Sequence, residues 1–299
     1  MKGNLFLKIP VFDGSSVAIV TPFRSGRIDF DSMEKLIDMQ KIAGTAAITV
    51  CGTTGESSAM TRDEKIEAIR FVKDRACALP VIAGACSNST DGAVAKALDA
   101  QKAGADAVLC VTPYYNKCTQ QGLVAHYSAI ANAVDIPVIV YNVPSRTGMT
   151  IAPETYDALA KIPNVNGVKE ASGDIPLIVK IRRMCGDELN IWSGNDDNVV
   201  PMMSVGAKGV ISVAANIIPE KVAEFTDCAL NGDFTRAAEI QTKYSGLIEL
   251  LFSEVNPIPV KCALSLMGLI SNELRLPLTP LSGTNRDKLS YEMKKTGLL

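Results

Sequence analysis

Eight short apolar runs rich in β-branched residues recur along this chain, most of them about 30 residues apart. They occupy residues 17–23, 46–52, 80–85, 107–112, 137–142, 165–170, 190–193 and 209–213. Between most of them lie stretches with helical periodicity, at 31–43, 61–77, 90–103 and 120–134. Strands that are apolar throughout belong to parallel sheets covered by helices, and each parallel strand needs a crossover before its neighbour. Eight such alternations predict a (β/α)8 TIM barrel. A doubly wound open sheet is the alternative. It usually has fewer repeats and opens on a G-x-G-x-x-G turn, whereas the first turn here is Thr21-Pro22-Phe23-Arg24-Ser25-Gly26.

The strand signal stops after residue 213. Residues 219–230, 233–252, 257–267 and 286–296 all read as helices. Thr284 or Asn285 is the expected cap of the last one, with Lys294 and Lys295 in its final turn and Gly297 just beyond. The expected division is a catalytic barrel over residues 1–232, with 1–13 as an N-terminal arm, and a small all-helical C-terminal extension over 233–299.

Composition removes several function classes. Hydrophobic residues make up 47% of the 299, ample for a large core. The formal net charge is −2 and the cations are scattered, so neither nucleic acid nor a membrane surface is an expected partner. No run of about 18 apolar residues exists to span a bilayer. The arm lacks a full apolar h-region and an A-x-A cleavage site and does not read as a signal peptide. Eight cysteines without a C-x-x-C pair, several inside apolar runs, fit a reducing cytoplasm. The single histidine, His126, argues against a Ser-His-Asp triad or a histidine-based metal site; packing at a surface or groove is its expected role.

Lys169 is the residue with no bland reason to be where it is. It ends the sixth run, Asn166-Gly167-Val168-Lys169-Glu170, where a buried cation costs several kcal/mol unless compensated. A free lysine is an unprotonated amine in on the order of one molecule in a thousand at neutral pH. Apolar burial lowers its pKa and makes it a nucleophile able to form a Schiff base with a ketone. The other reading is an ion pair with a nearby carboxylate.

Barrel active sites lie at the C-terminal strand ends. There the chain offers Gly52-Thr53-Thr54-Gly55-Glu56 after run two and Thr112-Pro113-Tyr114-Tyr115-Asn116 after run four. Run five ends in Tyr141-Asn142-Val143-Pro144-Ser145-Arg146-Thr147-Gly148, and run seven in Gly194-Asn195-Asp196-Asp197. The Gly-Thr-Thr-Gly loop is either a nest of N–H and hydroxyl donors for a carboxylate or an ordinary turn. Tyr141 is either a proton carrier or a packed tyrosine with a satisfied hydroxyl. Arg146 is either a solvated loop charge or a fork for a substrate carboxylate. Asp196 and Asp197 argue against a phosphorylated substrate. With Glu56 and Glu170 they are also candidate ligands of a divalent metal, although no recognisable ligand spacing supports one.

On these four motifs the chain resembles the dihydrodipicolinate synthase family, over nearly its whole length from about Gly14. The likeness extends to Asn256-Pro257-Ile258-Pro259-Val260-Lys261 and Leu274-Arg275-Leu276-Pro277. The resemblance implies a lysine Schiff-base condensation of pyruvate with L-aspartate 4-semialdehyde, without cofactor or metal. It implies Lys169 as the imine-forming amine and Tyr141, Thr53 and Tyr115 as a proton relay, Tyr115 reaching into a neighbouring subunit. Thr54 would hold the pyruvate carboxylate and Arg146 that of the semialdehyde, while Ile211 and Gly194 line the pyruvate end. A homotetramer built as a dimer of dimers is implied as well. The rival readings are a sister aldolase of the superfamily, which usually lacks this arginine, and a silent ligand-sensing barrel, which would have lost Lys169 or Tyr141. Finally, of the positions that bind lysine in feedback-sensitive members, Asn88 and Tyr114 are retained, while Arg62 and Lys65 replace histidines and Gly92 replaces a glutamate for which only the adjacent Asp91 could substitute. Weak or absent feedback is expected.

Overall fold

The computed structural model describes residues 7–299; the first six residues of the expected arm lie outside the described residues. Eight parallel strands close on themselves. They are β1 (Gly14–Ala18), β2 (Ala47–Val50), β3 (Val81–Gly84), β4 (Ala107–Val111), β5 (Val138–Asn142), β6 (Val165–Glu170), β7 (Asn190–Ser193) and β8 (Gly209–Ser212). Each neighbours the next in sequence and β8 pairs β1, so the expected barrel is the observed one.

The outer ring holds α1 (Phe30–Ile42), α2 (Arg62–Ala76), α3 (Thr90–Lys102), α4 (Gln120–Ala133), α5 (Pro153–Ala160), α6 (Ile175–Cys185), α7 (Val199–Ser204) and α8 (Pro219–Leu230). Local chemistry sets their starts. Thr61 and Glu64 form a reciprocal capping box on α2, and Ser89, Thr119 and Asp174 cap α3, α4 and α6 through their side chains. Four further helices follow: α9 (Phe234–Lys243), α10 (Ser245–Leu250), α11 (Ile258–Leu266) and α12 (Gly283–Lys295). No helix of the described residues is long and apolar enough to cross a membrane.

Three sequence expectations shift. The first strand ends at Ala18 rather than running from 17 to 23. Ile19 still donates to the Thr49 carbonyl, but the Val20 N–H turns to Asn216 Oδ1, and Phe23 enters a two-residue hairpin strand. The apolar character of that stretch serves a second contact: Phe23 lies under the cations of Lys261 and Arg275 from the C-terminal segment. The helix expected over 233–252 is broken at Tyr244 into α9 and α10. The last helix starts at Gly283, not behind Thr284 or Asn285. Ser282 precedes it, anchored by its N–H and hydroxyl to Glu254.

The described part of the arm closes the bottom of the barrel. Phe12 stacks on Trp192, ring centroids 5.0 Å apart, and its carbonyl accepts from the Trp192 indole N–H at 3.0 Å. Lys8 Nζ donates to the carbonyls of Ala160, Ile162 and Val165 at 2.6, 2.9 and 2.6 Å, which fixes the entrance of β6. His126 is buried rather than at a surface, bonded through Nδ1 to the Thr90 hydroxyl and set edge-on to Tyr127. All eight cysteines are free thiols.

Candidate active site

Successive residues of a strand face opposite sides, so Lys169 and Glu170 at the end of β6 part company. Glu170 turns away from the cavity. Its carboxylate accepts from Asn142 Nδ2 at 2.9 and 3.0 Å, from the Ser172 N–H at 2.8 Å and from the Tyr156 hydroxyl. Lys169 faces a cavity of about 160 Å³ at the C-terminal mouth of the barrel. In register it stands beside Tyr141 on β5 and Trp192 on β7, with Nζ 4.5 Å from the Tyr141 ring centroid. No carboxylate lies within ion-pair distance of Lys169 among the described residues. The compensating partner that a buried lysine needs is therefore not an ion pair.

Burial pulls the Lys169 pKa down from 10.5 to about 8, against a smaller upward pull from Asp196; Arg146 adds to the lowering. The same desolvation pushes the Tyr141 phenol up to about 12. At pH 7 an amine with a pKa of about 8 is unprotonated in about one molecule in ten, roughly three-hundredfold more than an ordinary lysine. Gly194 makes room for the stem. A Cβ there would lie 2.7 Å from the Ala171 Cβ and 3.1 Å from Lys169 Cε, so the residue just beyond β7 must stay small chiefly because of Ala171, with the lysine stem crowding it as well.

Thr53 and Thr54 reach the same cavity from the loop after β2. That loop is held from three sides. The Thr21 hydroxyl donates to the Gly55 carbonyl at 2.7 Å, and Asn256 Nδ2 donates to Thr54 Oγ1 at 3.0 Å. Glu56, in the left-handed region at φ 52°, receives Lys261 Nζ at 2.5 Å and the Arg275 N–H at 2.9 Å. Arg275 is itself forked onto Glu64, whose carboxyl it pulls down to about 2. Arg146 reaches the cavity from a single helical turn, Pro144–Thr147, directly after β5.

Three of the four carboxylates considered as metal ligands are committed elsewhere: Glu56 to Lys261, Glu170 to its three donors, and Asp196 to the Ser212 hydroxyl and the N–H groups of Val213 and Ala214. No group of three or more His, Cys, Asp or Glu side chains could hold a metal ion among the described residues. The phosphate argument also changes its basis, since Asp196 is buried as a strut between β7 and β8.

Thus Lys169, Tyr141, Thr53, Thr54, Arg146 and Gly194 line one cavity. Ile211 is fully buried in the interior cluster with Tyr141 and Trp192, and Val213 is the residue beyond β8 that forms the wall. Tyr115 stands outside this cavity, 92% exposed and in the left-handed region at φ 67°. Residues 11–296 match the Dihydrodipicolinate synthetase family. The chain belongs to that family. It is 52% identical to the 4-hydroxy-tetrahydrodipicolinate synthase of Thermoanaerobacter sp. (strain X514), over 97% of this chain and 99% of the relative. The solved dihydrodipicolinate synthase of Thermotoga maritima superposes with a TM-score of 0.95 at 42% identity, covering 97% of this chain and all of that one. The chloride-inhibited enzyme of Acinetobacter baumannii, solved in complex with pyruvate, gives 0.94 at 43%, covering 96% and 99%.

Against the dihydrodipicolinate synthetase frame, sequence reasoning gave no role to five cavity residues: Cys86 and Phe252, which it did not single out, and Ser145, Asn195 and Asn256, which stood inside motifs it quoted. Phe252 and Asn256 come from the C-terminal helical segment, about 200 residues from the loop they face. No spacing rule connects them. Cys86 lies next to a strand end and could have been found by extending the strand-end argument to β3, but burial raises its thiol pKa and keeps it an uncharged lining group.

Proposed function

We propose that Lys169 carries the reaction as a Schiff-base amine, with Tyr141, Thr53 and Tyr115 moving its protons. The activity is the condensation of pyruvate with L-aspartate 4-semialdehyde to 4-hydroxy-tetrahydrodipicolinate, which feeds lysine and diaminopimelate synthesis. The observation that carries the assignment is a buried amine with a pKa near 8, without an ion pair, facing a cavity ringed by hydroxyl donors and one arginine.

Unprotonated Lys169 Nζ attacks the keto carbon of pyruvate. The carbinolamine oxygen must gain a proton to leave as water, and Tyr141 is the nearest phenol in register to supply it. The resulting imine loses a proton from the methyl carbon and becomes an enamine. That carbon bonds to the aldehyde carbon of the semialdehyde, whose oxygen takes up a proton. The substrate's amino group then attacks the imine carbon, closes the ring, and expels Lys169 as the free amine. A phenol held near 12 is a reluctant acid, so it works best as a relay in contact with Thr53 and a second phenol. Thr54 is assigned to the pyruvate carboxylate and Arg146 to the semialdehyde carboxylate. Gly194 and Ile211 are assigned to shaping the pyruvate end.

Tyr115 is assigned to a neighbouring subunit's site, in a dimer within a dimer-of-dimers tetramer. What supports this is its exposure on a strand-end loop, away from the cavity of its own chain. A cytoplasmic location suits eight unpaired cysteines.

Borohydride reduction in the presence of pyruvate tests the assignment. The reduced pyruvyl mass is expected on the peptide containing Lys169; label on Lys208 or on buried Lys261 would overturn it.

A further inference from the structure

The carboxamide of Asn256 sits in an unusual position. It is 6% exposed, lies just ahead of α11, and shares the wall of the cavity with Thr54, which is 3% exposed. Its Nδ2 donates to Thr54 Oγ1 at 3.0 Å, while its Oδ1 is buried with no hydrogen-bond partner. A buried amide with its acceptor unfilled is unfavourable for the fold, and an apolar side chain of the same size would pack there without that defect. Groups that a fold keeps against its own stability mark functional sites.

The direction of this hydrogen bond matters. A threonine hydroxyl has one hydrogen to give and lone pairs to receive. Because Asn256 donates, it occupies a lone pair of Thr54 Oγ1, and the hydroxyl hydrogen is left to point elsewhere. Where Thr54 meets the cavity, that hydrogen suits an anionic acceptor. If the side chain at 256 accepted instead, Thr54 would spend its hydrogen there and turn lone pairs toward the ligand.

We propose that Asn256, supplied by the C-terminal helical segment, is a positioning residue that fixes the Thr54 hydroxyl as a donor to the pyruvate carboxylate. This rests on the reading of Lys169 and Thr54 given above. It gives that segment a direct part in the chemistry: the hydroxyl that meets the first substrate is aimed from outside the barrel.

The test compares Asn256→Leu, which removes the donor, with Asn256→Asp, which keeps the shape but reverses the bond and adds a negative charge. The readouts are KM for each substrate, kcat, and the pyruvate dependence of borohydride trapping at Lys169. Asn256→Leu is expected to raise the pyruvate KM about tenfold, the order of one lost hydrogen bond to a charged group, and Asn256→Asp more. The KM for aspartate semialdehyde should stay within about twofold, and the melting temperature of the Leu variant should not fall. In a Thr54→Val background Asn256→Leu should add no further effect on pyruvate, because the residue acts through Thr54, whereas Asn256→Asp should keep only the direct repulsion of its charge. A merely structural asparagine predicts the reverse order, Asp milder than Leu, with both KM values moving alongside stability. That order, or an unchanged pyruvate dependence, overturns the proposal. Should the Leu variant fail to fold, Asn256→Ala, which removes the donor without adding charge, decides when measured alone and in the Thr54→Val background. Trapping that never labels Lys169 would instead overturn the assignment of the amine.

Discussion

Lys169 shows how much chemistry one misplaced charge announces. A lysine at the end of an apolar strand is legible without any structure, because only burial or pairing can follow, and the absence of an ion pair settles which. The lowering from 10.5 to about 8 corresponds to roughly 3 kcal/mol against the charged form. Below about pH 8 the amine is charged in the folded and unfolded chain alike, and the fold bears that cost in full. Between about 8 and 10.5 the folded chain has released its proton while the unfolded chain still holds one, so stability rises with pH across that window. Lys169→Met should therefore abolish turnover yet melt no lower, and at neutral pH higher, than the parent in calorimetry; a clear drop in melting temperature would contradict the buried-charge account. The rate of borohydride trapping with pyruvate should climb as pH rises toward about 8 and then level off, as the free amine becomes the main species. Tyr141 and Arg146 were readable as strand-end residues with two possible roles each. Asn256 stood in a quoted motif but its contact was not readable, because that lies in one hydrogen bond to a residue 202 positions away.

At the level of elements, alternation of apolar runs with helical stretches located seven of the eight strands to within about two residues. The first strand was misplaced because the apolar run continues past Ala18 to Phe23, whose ring lies under Lys261 and Arg275 of the C-terminal segment, a contact that periodicity does not encode. The loop after β2 is the element on which the site depends most, and the Lys261–Glu56 pair is its tether. Burial lowers the Lys261 pKa while Glu56 opposes the change. Breaking such a pair from one side strands a buried charge, so Lys261→Met should destabilise the protein by about 3–5 kcal/mol in denaturant melts. Adding Glu56→Gln should return part of that loss; if the double variant is as unstable as the single one, the stranded charge is not the cause. The groove between α2 and α3 carries the regulatory expectation. Arg62 is forked onto Asp99, and the Lys65 pKa is lowered by burial and by neighbouring Lys96. A Cβ at Gly92 would meet Ser87 Oγ at 2.6 Å, so a glutamate there would require a shift of its neighbours. L-lysine, with its two ammonium groups, meets the cations of Arg62 and Lys65 there and only Asp91, beside Gly92, as an adjacent acid in place of a glutamate, so its titration into the assay should show no submillimolar inhibition.

For the whole molecule, the barrel is only part of the machine. The C-terminal segment aims and tethers the loop after β2, and exposed Tyr115 lies outside the cavity of its own chain. Inactive Lys169→Ala and inactive Tyr115→Phe proteins, mixed under conditions of proven subunit exchange, should regain about a quarter of full activity through hybrid dimers with one sound site, if protomers pair at random. No recovery would mean that each subunit works alone. Sequence resemblance supplied this expectation; no feature of a single chain's pattern distinguishes a solvent-exposed tyrosine from one awaiting a partner. The closed bottom of the barrel has a further use. Its sealing ring belongs to Trp192, the sole tryptophan of the chain, fully buried, stacked on Phe12 and adjacent in register to Lys169. All indole fluorescence therefore arises from one place, one strand away from Lys169. The protein carries its own lamp one strand from the cavity, and a change in its brightness on adding pyruvate would report, without any added label, the imine proposed at Lys169.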